Sequence, residues 1–198
     1  MSKSLRRCRI DYEPIQDSLS ENDKLVFENV KEQTSERSVT VRLIDNFVKE
    51  CKARSFVFFS DEPERVTGRP ELKDRWKDSP GFSYGPRPTE YLLAALGSSI
   101  QARIVINACL MGIKIDAVEM TLTGIRDERG LHGMTEVRPG FREIKIEARI
   151  DSDESEENIR KLMKAAERNQ VTDMLTNPLS ISTQVILNGK PFKIASSQ

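Results

Sequence analysis

Hydrophobic positions change period several times along this chain, and each change marks an element. Val39, Val41 and Leu43 alternate with Thr40 and Arg42, the two-residue period of a half-buried strand. Asp45-Asn46 signals a turn, and Phe47 to Cys51 and Ser55 to Ser60 follow as strand-like runs. An antiparallel meander is expected there. Between Pro88 and Gly112 the pattern becomes helical. Leu92, Leu93, Leu96, Ile100, Ile104, Val105, Ile106, Leu110 and Met111 surround the axis instead of forming one stripe. Pro88 suits a first helical turn, Thr89 offers a capping hydroxyl, and Gly112 supplies the stop. At about 1.5 Å per residue, the roughly 23 residues between them span about 35 Å. A helix apolar nearly all round must be covered on nearly all sides. In a domain this small, that requirement points to a partner chain.

Strand periodicity returns after the helix. Val118, Met120 and Leu122 alternate with Glu119, Thr121 and Thr123, and Ile144, Ile146, Ala148 and Ile150 repeat the pattern beyond a polar link containing Gly130, Gly133 and Gly140. Ile159, Leu162, Met163 and Ala166 then fall at helical spacing. The acidic run Asp151 to Glu157 reads as a solvated helix start that suits the helix dipole. Leu179, Ile181, Thr183 and Val185 predict a last strand, and Asn188-Gly189 a tight turn into Pro191 to Ile194. The expected class is α+β, an antiparallel sheet with a long central helix and a second, amphipathic helix. Residues 1–38, polar apart from a few positions such as Leu25, Val26, Phe27 and Val30, read as a loosely attached N-terminal extension. Residues 39–198 form the domain, with a long loop over 61–87 that carries Trp76, Phe82 and Tyr84. Loops of this length are often binding segments. These aromatics either cap an apolar pocket or anchor the loop, and the sequence favours neither.

Composition narrows the function classes. The 31 Lys and Arg balance the 31 Asp and Glu, so no net field draws the protein to nucleic acid or an anionic membrane. Glu90, Gln101, Arg103 and Asn107 interrupt the longest apolar segment and argue against a membrane span. No apolar run follows the basic N-terminus, so a secretory signal is not expected. Cys8, Cys51 and Cys109 are widely spaced, and His132, the one histidine, cannot complete a zinc site with them. The expectation is a cytoplasmic protein with reduced thiols and no metal or other cofactor.

Several strings in this order resemble the OsmC/Ohr family of osmotically inducible and organic-hydroperoxide-resistance proteins. They are SFVFFSDEP before the loop, GPRPTEYLLAALGSS opening the helix, GIKIDAVEMTLTG after it, FREIKIEARIDSD, and AAERNQV at the end of the second helix. The resemblance covers about Val39 to Leu187. It implies an OsmC-like fold, an intertwined homodimer with the long helices at its centre, and pockets at the dimer interface. It also implies a chemistry in which a helix thiolate attacks the peroxide O–O bond, becomes a sulfenic acid and is rescued by a second cysteine. At those two positions this chain has Ser99 and Asn169, with Gln170 replacing the proline that follows the second cysteine. In the peroxidase branch a carboxylate stands ten positions before the reactive cysteine, where this chain has Thr89. Glu90 matches the acidic residue of the wider group. Nine residues along a helix is half a turn out of phase, so Glu90 and Ser99 are expected on opposite faces. Arg42 and Arg54 lie on the strands that carry the family's pocket arginine, and neither is assigned to it.

The pocket expected from the resemblance comprises Thr89, Glu90, Ser98, Ser99, Asn169 and Gln170. A nucleophilic serine needs a neighbouring base, and His132 lies in a polar loop. Ser99 therefore reads as pocket lining or as close helix packing. Cys109 reads as a buried small hydrophobe and Cys51 as a strand cysteine. The leading expectation is a binding protein that lacks two-cysteine turnover and holds a small, partly apolar or peroxide-like ligand. Two alternatives stay open. One is a residual thiol-dependent hydroperoxide reductase or other enzyme using Cys51, Cys109 or Ser99. The other is a partner-binding role for residues 1–38 and the long loop.

Overall fold

Three antiparallel sheets and one long helix dominate the computed structural model, which describes residues 5–18, 35–62, 83–132, 136–177 and 179–192. A short helix, α1, occupies residues 12–18. Strands β1 (Thr40–Asp45), β2 (Val48–Ala53) and β3 (Phe56–Ser60) form the expected meander. Thr40 pairs with Lys52, and Cys51 with Phe58. Asn46 and Arg54 turn the chain with positive φ, at 42° and 54°.

Helix α2 runs from Pro88 to Met111. The backbone N–H of Arg87 donates to Glu90 Oε2 at 2.8 Å, so the carboxylate of Glu90, not the hydroxyl of Thr89, closes its N-terminus. At the other end Gly112 adopts φ 67°. Ile113 N–H donates to Ala108 O and Gly112 N–H to Cys109 O, the paired bonds of a Schellman stop. By length and hydropathy alone this helix could cross a membrane. Here its Leu96, Ile100, Ile104 and Ala108, spaced four apart, form the centre of the core.

Strands β4 (Ala117–Ile125) and β5 (Glu143–Asp151) pair in unbroken register, from Ala117 with Asp151 to Ile125 with Glu143. Their Val118, Met120, Leu122, Ile144 and Ile150 lie against the core. A Cβ on Gly97 would stand 2.8 Å from Leu122 Cδ1, so a glycine here lets α2 approach the sheet. Helix α3 (Glu156–Ala166) begins at Ser155, whose hydroxyl accepts from Asn158 N–H, and it adds Leu162 and Ala166 to the core. A second short helix, α4 (Gln170–Thr176), follows at once.

Two sequence expectations are corrected. The last strand, expected from Leu179, begins only at Val185: β6 (Val185–Leu187) pairs with β7 (Lys190–Phe192) across Asn188-Gly189. Residues 179–184 form no ladder among the described residues, and Ile181 is 91% exposed. Alternating apolar residues make a strand only where an edge is available to them. The extension is also not loose throughout. Cys8 N–H donates to Asp116 O at 2.8 Å, Ile115 N–H donates to the Tyr12 phenol oxygen at 2.8 Å, and Ile10 and Tyr12 pack on the core.

Candidate functional site

Two helix faces with the same spacing enclose a cleft of about 740 Å³. From α2 come Ser99, Ala102, Arg103 and Ile106, and from the start and body of α4 come Asn169, Thr172, Asp173 and Thr176. Each set follows i, i+3, i+4, i+7, the interval that keeps side chains on one face of a helix. Glu167, Arg168 and Gln170 complete the lining at the junction of α3 and α4. Ser99, Asn169 and Gln170, far apart in sequence, therefore line one cavity.

The polar groups of the cleft differ in how committed they are. Asn169 is 8% exposed and caps α4. Its Oδ1 accepts from Thr172 N–H at 2.9 Å, and its Nδ2 donates to Thr172 Oγ1 at 2.8 Å and to the carbonyls of Ala166 and Glu167. Its amide is thus consumed by the backbone around it. Asp173 accepts from Asn177 Nδ2 at 2.8 Å. Glu167, Arg168 and Gln170 stand exposed at the rim. Arg103 is half-buried, and its Nε is shut off from solvent with no hydrogen-bond partner among the described residues. The sequence reading missed Arg103 as a site residue. Its position one turn beyond Ser99, with Ala102 and Ile106 on the same face, was the available signal.

The remaining expected site residues lie elsewhere. Thr89 and Glu90 line a separate cleft of about 590 Å³ at the start of α2, beside Arg87, Arg126 and Phe141. Glu90 lies nine residues and half a turn from Ser99, and Thr89 lies ten residues, about 15 Å of helix, before it. Ser98 is exposed and lines neither cleft. Arg42 pairs with Glu50 at 2.9 Å, and Arg54 lies over the Phe56 ring at 5.3 Å. Tyr84 is largely exposed, while Trp76 and Phe82 lie outside the described residues. The backbone of His132 ends a 3-10 turn, Glu128–His132.

All three thiols are free, and none lines the Ser99 cleft. Cys109 is 1% exposed, and burial pushes its pKa up. Cys51 is buried on β2. Cys8 is exposed, its Sγ 3.4 Å from Asp116 O. Among the described residues no cluster of three or more His, Cys, Asp or Glu side chains could hold a metal ion.

Residues 80–184 match the family model described as OsmC-like protein. Among solved structures, an OsmC-like protein from Mycoplasma pneumoniae matches with a TM-score of 0.57 at 21% identity, over 73% of this chain and 89% of that one. An OsmC-like protein of unknown function from Vibrio cholerae gives 0.56 at 11% identity, over 71% and 93%. A Psychrobacter arcticus protein named for osmotic-stress induction and detoxification response gives 0.53 at 15%, over 72% and 90%. At these identities the structures establish a shared fold. No curated protein matches the chain.

Proposed function

Because this chain belongs to the OsmC-like protein family, we propose that it is a homodimeric, cytoplasmic binding protein of that family, whose α2–α4 cleft holds a small, partly apolar ligand without two-cysteine peroxidase turnover. The observation that carries this reading is the content of the cleft. The positions that the resemblance assigns to the reactive and resolving cysteines are Ser99 and Asn169, and both line it. A serine hydroxyl cannot enter the thiolate, sulfenate and disulfide cycle. The Asn169 amide serves as a helix cap. No other thiol reaches the cavity, and the deeply buried Cys109 is held in its protonated, unreactive form. Ala102 and Ile106 supply the apolar part of the wall.

The homodimer is supported by the apolar surface one chain leaves in water. Leu43 is 66% exposed and Phe56 60%, with Val41, Ile44 and Val57 also exposed on the same meander. Burying a side chain of this size stabilises by roughly 1.5–3 kcal/mol, a gain one chain forgoes at each. Exposed apolar patches of this kind mark interaction surfaces.

Purified protein given an organic hydroperoxide and a dithiol reductant is expected to consume no peroxide above the reductant background. Light scattering is expected to give twice the mass of one chain. Saturable consumption that disappears in Cys51→Ser or Cys109→Ser would replace this reading with a thiol enzyme, and a monomer would remove its dimeric half.

A further inference from the structure

Resting on the binding reading above, we propose that the α2–α4 cleft recognises the carboxylate of an apolar small molecule, with Arg103 as the anchoring cation and the Ser99 hydroxyl as a second donor one turn away. A desolvated guanidinium N–H without an acceptor is costly, and such groups are rarely left unpaired in folded proteins. Arg103 has this condition: its Nε is out of contact with solvent and unbonded among the described residues, and no ion pair to it is present among them. A ligand carboxylate would pair with the remainder of this guanidinium, since Arg103 lines the cleft. The hydroxyl of Ser99, four residues earlier on the same helix face, has no hydrogen-bond partner among the described residues and is free to donate.

The other charges of the cavity select the kind of anion. Glu167, Arg168 and Asp173 are exposed at the mouth, where solvent and salt screen them. Arg103 is the half-buried charge of the cleft lining. One half-buried cation balances a monoanion and leaves a dianion such as a phosphate monoester only partly neutralised. The guanidinium fork pairs with a planar carboxylate through two parallel hydrogen bonds. Ala102 and Ile106 on the same helix face take an alkyl or aryl body.

The test is titration of the full-length native protein with octanoate and with octan-1-ol, followed by ligand-observed NMR. Octanoate is expected to bind saturably, and the alcohol about tenfold more weakly or worse, as loss of a charge-assisted pair implies. Arg103→Gln is expected to weaken octanoate by about tenfold and leave octan-1-ol unchanged. Equal affinities for the two ligands, or undiminished octanoate binding to Arg103→Gln, would overturn the proposal. So would an Arg103→Gln protein that loses its dimer while octanoate still binds, since Arg103 would then be an interface residue. Should that variant fail to fold, octanoate against octan-1-ol on the native protein decides alone. If neither probe binds, the carboxylate proposal falls. Native mass spectrometry then separates the two readings: a neutral molecule carried through purification keeps the binding function, and none removes that function too.

Discussion

Asn169 and Ser99 occupy the two positions at which the resemblance would place a redox pair, yet their local duties are unlike. Asn169 closes the first turn of α4 through two hydrogen bonds with Thr172 and ties it to the end of α3 through two more, to the carbonyls of Ala166 and Glu167. Asn169→Ala is expected to cost about 1 kcal/mol, the usual worth of an N-cap, and to lower Tm by roughly 2–4 °C in a chain of this size. A thermal melt unchanged by that substitution would deny it a capping role. Ser99 is unbonded and shares its helix face with Arg103. A Ser99→Cys thiol should therefore ionise below the roughly 8.5 of free cysteine, because a nearby cation favours the thiolate. The pH dependence of iodoacetamide labelling reads that pKa, with Cys109 as a slow internal reference. The place of these two residues in one cavity was legible from the order of sequence strings. Arg103 was not, since a helix apolar on nearly all sides hides one cleft-lining cation among its polar interruptions.

Helix ends were easier to locate than to explain. Pro88 and Gly112 mark α2 as the sequence predicts, but the N-terminal cap belongs to Glu90, three residues into the helix from Arg87. Glu90 therefore has a structural task that accounts for an acidic residue there without a pocket. Gly112 holds φ 67° with no atom near its missing Cβ, so the constraint is conformational and not one of space. Gly112→Ala is expected to destabilise by roughly 1–2 kcal/mol, the cost of a left-handed backbone for a side chain, and Gly112→Asn by less. Urea denaturation of the pair checks both, and equal losses would point to packing instead. Helix α4 escaped the sequence reading because seven residues are too few to display a period. The strand expected over 179–184 failed for the opposite reason. Its period is clear, but pairing depends on a neighbouring edge that no local pattern reports.

Helices α2 and α3 and strands β4 and β5 meet in a hydrophobic core cluster, and residues 8–12 are fastened onto it. Burial raises the pKa of Tyr12 above its usual 10.0, with the Ile115 N–H opposing and Cys109, Cys8 and Asp116 adding to the rise. Cys109 is likewise raised above 9.0 by burial. Both groups are neutral when folded. Their contribution is fully present below the unfolded pKa values and is lost as pH climbs through the raised ones. Stability should thus be level from pH 7 to about 9 and fall above it. Tyr12→Phe should lower stability at pH 7 by leaving Ile115 N–H without its acceptor, and flatten the alkaline decline. Melting curves from pH 7 to 11 test this, and parallel declines in the two proteins would exclude Tyr12 as a source.

At the boundary between the meander and α2, Asp61 is fully buried. Its Oδ1 accepts from Glu62 N–H at 2.7 Å and its Oδ2 from Tyr84 N–H at 3.2 Å. Ser83 N–H reaches Glu62 O, and Asp61 N–H reaches Pro86 O. Tyr91 adds a bond from its hydroxyl to Phe59 O at 2.5 Å. These contacts fasten residue 62 directly to residue 83. Protein engineers would call such a clasp a permissive site. The chain should tolerate a protease nick, a grafted epitope or a two-glycine shortcut there and remain one cooperative unit, whereas Asp61→Ala should make the same cut separate the meander from the helix.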